Sequence, residues 1–279
     1  MSTLAASLLD YDFMRRALVA AVFVGLAAPA VGVLLVQRRL ALIGDGLGHV
    51  AVTGVALGLL LAQAPVFVAL VTAAAGAVLI ELIRARGEAF AEIALAILFY
   101  GGIAGGVVLV SRAPAGGRTL DQYLFGSITT TTPDDVLTFA VLAVVVLVLT
   151  VRLGPALFAV SNDEPFARAS GLPVLPLNVT LAVLTALTVV VSMRVVGVLL
   201  VSALMVVPVA TAQLVARSFR ATYAIGVVLG ALVSVGGVAI AYWFDTPSGG
   251  TIVLLAIAVF VLALTVGGLL QRRVGLRIR

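Results

Sequence analysis

The residues best suited to chemistry in this sequence are an aspartate and a histidine four positions apart, Asp45 and His49. His49 is the only histidine of the chain, which also lacks cysteine. On a helix, residues i and i+4 lie on one face, so this carboxylate and imidazole can both reach one cation. Mixed oxygen and nitrogen donors suit zinc, manganese or ferrous iron better than ions that prefer thiolates. The alternatives are a structural aspartate–histidine hydrogen bond between helices and a carboxylate whose charge lies in water.

The pair lies at the start of one of several long apolar runs. The chain of 279 residues is 63% hydrophobic and 10% charged, whereas soluble domains carry about 25% charged residues. A run of about 20 apolar residues spans the hydrocarbon core of a bilayer, so the pattern predicts an all-α polytopic membrane protein. Pro208 interrupts one run, so we expect a bundle of eight or nine transmembrane helices. The apolar runs cover residues 17–36, 41–62, 66–83, 93–110, 136–151, 174–193, 197–216, 223–244 and 252–270.

The arginines orient the predicted spans. With nine spans, five of the 17 basic residues fall on one side of the membrane and the other 12 on the opposite side. Because cytoplasmic loops are enriched in basic residues, this bias predicts an outside N-terminus and a cytoplasmic C-terminus. The net charge of +5 is therefore a topology signal and does not indicate a nucleic-acid partner. The five outer arginines are Arg15, Arg16, Arg112, Arg118 and Arg194.

Two further ionisable residues are candidates for the transport path, because an ionisable group inside a span is costly and by default signals function. Glu92 begins the fourth run, where it can provide a second cation contact or an exit gate. The alternative is a carboxylate that the helix dipole favours. Arg194 lies between the sixth and seventh runs, where it can pair with an outer carboxylate or close an external gate. Its alternative is an arginine that snorkels to the interface.

Glycine spacing predicts close helix packing near the candidate ligands. Gly54 and Gly58, and likewise Gly102 and Gly106, are four residues apart. This spacing lets the backbones of membrane helices approach closely. Glycine is also simply common in membrane helices, so the spacing alone does not identify a specific interface.

The predicted cytoplasmic loop 152–173 contains a short helix pattern. Asp163 can cap a helix that ends at Gly171. Phe166 and Ala169 are three residues apart and begin an apolar stripe. A short helix of this kind suits docking into a groove on a partner, whereas the alternative is a connector that packs on its own bundle.

The sequence also lacks the motifs of an ATPase or a hydrolase. It contains no GxxxxGK(S/T) phosphate-binding motif and no lysine that could serve one. Neither a serine–histidine–aspartate order nor a zinc-protease motif is present. We therefore predict a transport chain rather than an enzyme, and ATP-driven transport would need a separate ATP-hydrolysing chain.

Four segments resemble the zinc/manganese/iron permease family of bacterial ABC importers. Residues 37–49, QRRLALIGDGLGH, resemble the family pattern R-R-M-A-(Y/F)-x-G-D-x-L-x-H. Residues 163–171 resemble D-E-E-F-A-R-A-x-G, and residues 194–212 resemble R-x-V-G-x-L-L-V-x-A-L-L-x-x-P-A-A-T-A. Residues 245–254 resemble D-x-P-S-G-x-x-I-V-L. The likeness runs in order over nearly the whole chain, which is more specific than any single motif.

The resemblance implies a type II ABC permease architecture, like that of the vitamin B12 importer, in one permease domain over residues 1–279. It implies a multi-pass homodimer in the bacterial inner membrane, two copies of a cytoplasmic ATP-binding subunit and an extracytoplasmic metal-binding protein. No permanently bound cofactor is expected, and zinc or manganese, or else iron, is the substrate. A chelated-metal or siderophore permease and an ion-coupled secondary transporter are the rival functions.

The resemblance also assigns roles to residues of this chain. Metal contact in transit falls on Asp45 and His49. The coupling role falls on Asp163, Phe166, Ala169 and Gly171.

Overall fold

The computed structural model describes residues 10–113, 116–127, 129 and 131–275, and these form a bundle of α-helices. Nine helices of the described residues are long and apolar enough to cross a membrane. The all-α prediction is thereby confirmed, and of the eight or nine spans expected, nine candidates are found among the described residues. The helices are α1 (Asp12–Gln37), α2 (Ile43–Leu60), α3 (Pro65–Arg84), α4 (Glu88–Val110), α5 (Gly116–Phe125), α6 (Pro133–Arg152), α7 (Gly154–Asn162), α8 (Glu164–Ala169), α9 (Val174–Ser192), α10 (Val198–Val215), α11 (Phe219–Phe244) and α12 (Ser248–Gly275).

Pro208 does not break a span, because α10 continues through it. The chain instead turns between α9 and α10, at residues 193–197. Other elements anchor this turn: the backbone N–H of Ser127 donates to the carbonyl of Arg194 at 3.0 Å, and the Ser248 hydroxyl donates to the carbonyl of Val195 at 2.7 Å. The break in the helical pattern therefore lies before α10.

The bundle has two ends, which we call the Arg38 end and the Arg194 end. At the Arg38 end, the turn between α1 and α2 meets the connection between α7 and α8 through the Arg38–Glu164 ion pair. At the Arg194 end, the turn between α9 and α10 meets the start of α6 through an ion pair of Arg194 with Asp135. Loops that the arginine pattern assigned to one side of the membrane thus lie together.

Small residues bring the inner helices together. A Cβ atom at Gly54 would lie 2.5 Å from the Cα of Ala69, and one at Gly58 would lie 2.7 Å from the Cα of Pro65. Real Cβ atoms do not approach other atoms this closely, so glycine lets α2 and α3 touch. The glycine spacing at these two positions therefore marks a specific interface inside the chain.

The two helices that form the candidate site differ in how deeply they lie in the bundle. In α2, 61% of the span is buried, whereas in α4 only 22% is buried. The outer face of α4 is apolar and includes the exposed side chains of Ile97, Tyr100 and Val107. This face suits contact with lipid or with another apolar protein surface.

Candidate functional site

A tight turn sets the start of α2 and hence the position of Asp45. Arg39 has a φ of +59°, in the left-handed region, directly after the end of α1. The N–H of Arg39 donates to the carbonyl of Val36 at 3.1 Å, and that of Leu40 donates to the carbonyl of Leu35 at 2.9 Å. These two bonds form the Schellman type of helix end. Asp45 then lies in the first turn of α2, where the helix dipole favours its negative charge.

Asp45 and His49 lie one helical turn apart on α2, as the spacing predicts, and both are half-buried. They are close enough to interact electrostatically. Within the part of the chain that the structure describes, neither side chain makes a hydrogen bond or an ion pair. Asp45 and His49 are therefore not joined by a structural hydrogen bond to each other or to another helix among the described residues. Their carboxylate and imidazole lone pairs are available to a cation.

Helix α4 forms the wall beside His49. The ring of Phe99 meets the imidazole edge-on, with ring centroids 4.4 Å apart and an interplanar angle of 72°. A Cβ atom at Gly102 would lie 2.7 Å from the carbonyl carbon of His49, so glycine is what lets α4 approach α2 this closely. The Thr53 hydroxyl donates to the carbonyl of Gly102 at 2.6 Å. The sequence places Thr53 on the same helix face as Asp45 and His49, one turn further on, and the spacing of Gly102 and Gly106 predicts close packing here. Neither signal predicts the ring contact of Phe99 or the hydrogen bond of Thr53 to Gly102.

Helices α9 and α10 pack behind the pair. A Cβ atom at Gly44 would lie 2.8 Å from the Ser202 hydroxyl, and one at Gly48 would lie 2.9 Å from the side chain of Val198. Gly44, next to Asp45, and Gly48, next to His49, therefore fix α2 against its neighbours. The Asp45–His49 face stays only half-covered because these contacts lie on a different face of the helix.

Glu92 does not join the pair. It is exposed on α4, and the described residues contain no group of three or more His, Cys, Asp or Glu side chains that could hold a metal ion. Among the residues that the structure describes, Asp45 and His49 are therefore the donors that this site offers. The role of Glu92 as a second contact or gate stays a prediction.

Arg194 pairs with a carboxylate at its own end of the bundle, as one reading of the sequence predicts. Its partner is Asp135 at the start of α6, and the two side chains are 26% and 13% exposed. Asp135 also accepts from the backbone N–H of Thr132 at 2.9 Å, as part of a capping box. Nearby, burial raises the pKa of Tyr123. Whether the Arg194–Asp135 pair acts as a gate stays a prediction.

The short helix predicted between residues 163 and 171 is present as α8. The Asp163 carboxylate accepts from the N–H of Phe166 at 2.9 Å, and Gly171 has a φ of +81°. Ala167 is fully buried against the bundle, whereas the side chain of Phe166 is 66% exposed. Ala169 is also exposed. The outward residues of this helix are therefore not used to pack on their own bundle.

The model of the ABC 3 transport family matches residues 10–267 of the chain. The chain belongs to the ABC 3 transport family. The chain is similar to the manganese import system permease protein ScaB of Streptococcus gordonii, which is 30% identical over 91% of both chains. The high-affinity zinc uptake system membrane protein ZnuB of Haemophilus influenzae is 27% identical, over 91% of this chain and 97% of that protein.

A solved structure supports the same assignment of the fold. PsaBC from Streptococcus pneumoniae, in complex with a Fab, contains a chain that is 30% identical to this one. The two superimpose with a TM-score of 0.84 over 94% of each chain. The ABC 3 family fold therefore extends over nearly the whole chain, and the predicted relationship to ABC permeases is confirmed.

Proposed function

We propose that this chain is the permease subunit of an ATP-driven importer of divalent transition metals, with manganese or zinc as substrate. Family membership and the names of the manganese and zinc relatives support the substrate class. The observation that carries the proposal is the Asp45–His49 pair, a carboxylate and an imidazole one turn apart on a spanning helix that make no hydrogen bond or ion pair with the described residues. Ionisable groups within a spanning helix are costly unless they serve a path or site.

In this proposal Asp45 and His49 hold the ion briefly as it passes. Two donors fill only part of a tetrahedral or octahedral shell, so water or a second protomer of a homodimer supplies the rest. Incomplete coordination suits transit, because a complete shell would retain the ion. The Arg38 end, which carries the larger share of arginines, faces the cytoplasm of the bacterial cell, together with the C-terminus.

Two copies of an ATP-binding subunit dock at the Arg38 end, where Phe166 and Ala169 of α8 are exposed. An extracytoplasmic metal-binding protein delivers the ion to the Arg194 end. Cycles of ATP binding and hydrolysis on the docked subunits shift the bundle between outward-open and inward-open states. This chain therefore takes part in transport without hydrolysing ATP itself.

Uptake of radiolabelled manganese and zinc by cells that carry Asp45→Asn or His49→Gln tests the proposal. Both substitutions keep the side-chain size and remove a donor, so we expect uptake to fall by about tenfold or more at equal protein level, which corresponds to about 1.4 kcal/mol. Asp12→Asn is the matched control, since that carboxylate is 81% exposed at the start of α1. Wild-type uptake in both site variants would exclude the ligand role.

The same assay separates the rival functions. Competition by the free ion but not by its chelates supports import of the bare metal, and the reverse supports a siderophore permease. Uptake that persists without ATP and follows a proton or sodium gradient supports a secondary transporter.

A further inference from the structure

A cluster of charged side chains lies at the Arg38 end, apart from both the Asp45–His49 pair and the exposed face of α8. At its centre, Arg38 donates to a carboxylate oxygen of Glu164 at 3.3 Å, and the Arg38 side chain is only 6% exposed. Glu164 also accepts from Arg168 at 3.0 Å and from the amide of Asn178 at 3.4 Å. Glu164, the first residue of α8, is thus bonded both to Arg38, the residue that ends α1, and to Asn178 of α9.

The charges around Arg38 make its ion pair with Glu164 costly to break. Burial lowers the pKa of Arg38, and the neighbouring Arg84 acts in the same direction. The carboxylates of Glu81 and Glu164 oppose both effects. Since an uncompensated charge inside a protein is strongly destabilising, Arg38 is held to its carboxylates rather than free to leave them.

A second contact lies beside the first. The amide of Gln37 donates to the side-chain oxygen of Asn162 at 3.2 Å. Asn162 and Glu164 flank Asp163, the residue that caps α8. Two consecutive side chains at the end of α1 therefore hold the chain on both sides of the start of α8.

The other side of this junction leads directly to the candidate ligands. Arg38 is followed by the left-handed Arg39 and by the hydrogen-bonded turn that ends α1. Asp45 lies seven residues after Arg38 in the sequence, in the first turn of α2. A turn closed by its own hydrogen bonds is a rigid link, of the kind that carries coupling between distant sites.

We propose that Gln37 and Arg38 are positioning residues that tie α8 to the turn before Asp45, so that movement of α8 changes the position of Asp45 in the candidate metal site. The inference rests on the proposed function, in which an ATP-binding subunit moves α8. In this inference, the end of α1 passes the movement of the docked subunit on to the residues that contact the metal. In this scheme α8 and the α1–α2 turn move together, and the contacts between them persist through the cycle.

The decisive experiment measures metal transported per ATP hydrolysed. The full chain, its copurifying ATP-binding subunit and the metal-binding protein are reconstituted in liposomes with manganese as the probe. The variant R38Q/E164Q removes both charges, so that neither remains buried alone. The control R39Q removes an exposed arginine from the same turn.

We expect R38Q/E164Q to copurify with the ATP-binding subunit and to hydrolyse ATP within about twofold of wild type, while manganese transported per ATP falls by about fivefold or more. R39Q should match wild type. An unchanged ratio in R38Q/E164Q, with wild type coupled, would overturn the inference alone. Absence of ATP-dependent uptake by wild type would instead refute the proposed function.

Crosslinking decides the matter independently of whether the charge variant assembles. Because the chain has no cysteine, Q37C/N162C can be joined specifically by a thiol crosslinker that contains a reducible bond. If the two segments move as one body, the crosslinked protein keeps the wild-type ratio of manganese to ATP. Loss of transport on crosslinking, reversed by reduction, would show that the segments separate during the cycle and would refute the inference.

Discussion

Gly102→Ala provides the sharpest test of the packing that shapes the candidate site. The added Cβ atom would lie 2.7 Å from the carbonyl carbon of His49, 2.8 Å from the backbone nitrogen of Val50 and 2.9 Å from the Cβ atom of His49. An ordinary contact begins near 3.4 Å, so α2 and α4 must separate locally by about 0.7 Å (3.4 − 2.7). The nearest of these atoms are backbone, so rotation of a side chain cannot relieve the clash.

Two energies of opposite sign act on this variant. Overpacking costs about 1–3 kcal/mol, whereas alanine favours a helix over glycine by about 1 kcal/mol. The net loss of stability is therefore about 0–2 kcal/mol, small enough for the protein to fold. The displacement exceeds the tolerance of about 0.5 Å within which binding groups must be held. We expect metal uptake to fall by roughly fivefold to tenfold at equal protein level, because α4 is displaced from the His49 imidazole.

The adjacent glycine is the matched control. A Cβ atom at Gly101 would meet nothing within 4 Å among the described residues. Gly101→Ala should therefore leave the melting temperature of the purified chain unchanged or raise it slightly, because alanine favours the helix and its Cβ atom meets no clash. Wild-type uptake in Gly102→Ala would refute the idea that close contact of α4 with α2 shapes the surroundings of His49.

Two further predictions concern charge. Arg194→Gln leaves the largely buried carboxylate of Asp135 without its cation and should lower the stability of the protein by roughly 1–3 kcal/mol. The double variant Arg194→Gln/Asp135→Asn should lose less stability. Equal melting temperatures of the single variant and the wild type would contradict this prediction. Because the ligands must be deprotonated to bind metal, manganese affinity of the purified chain should fall as the pH is lowered and protons compete with the metal for the His49 imidazole. The same titration of His49→Gln should be flatter, and parallel curves would argue against imidazole ligation.

Long apolar runs made the spans predictable, since each must cover the hydrocarbon core by itself. The shorter helices differ. Helix α8 was predicted because Asp163 and Gly171 are local signals for its ends, and α7 was missed because its nine residues give too short a pattern. The start of α1 at Asp12 also lies before the apolar run, in a polar turn where Asp12 pairs with Arg15 at 3.0 Å.

Arrangements of residues close together in the sequence were predictable, whereas contacts between residues far apart in the sequence were not. Asp45 and His49 share a face because four residues make about one turn, whatever the rest of the fold does. The Arg38–Glu164 pair joins residues 126 positions apart, and the Arg194–Asp135 pair joins residues 59 positions apart. No spacing rule predicts such partners, since they depend on how the helices pack.

The unequal anchoring of α2 and α4 follows from the same packing and determines what each can contribute. Helix α2 carries both candidate ligands and is fixed by glycine contacts to α3 on one face and to α10 on another. Helix α4 supplies Phe99 and Gly102 but buries only 22% of its span in this chain, against 61% for α2. A shift of α4 therefore leaves the spacing of Asp45 and His49 intact, because both belong to one helix, and changes only what surrounds them. Access to the pair and the identity of its donors are thus set by different helices.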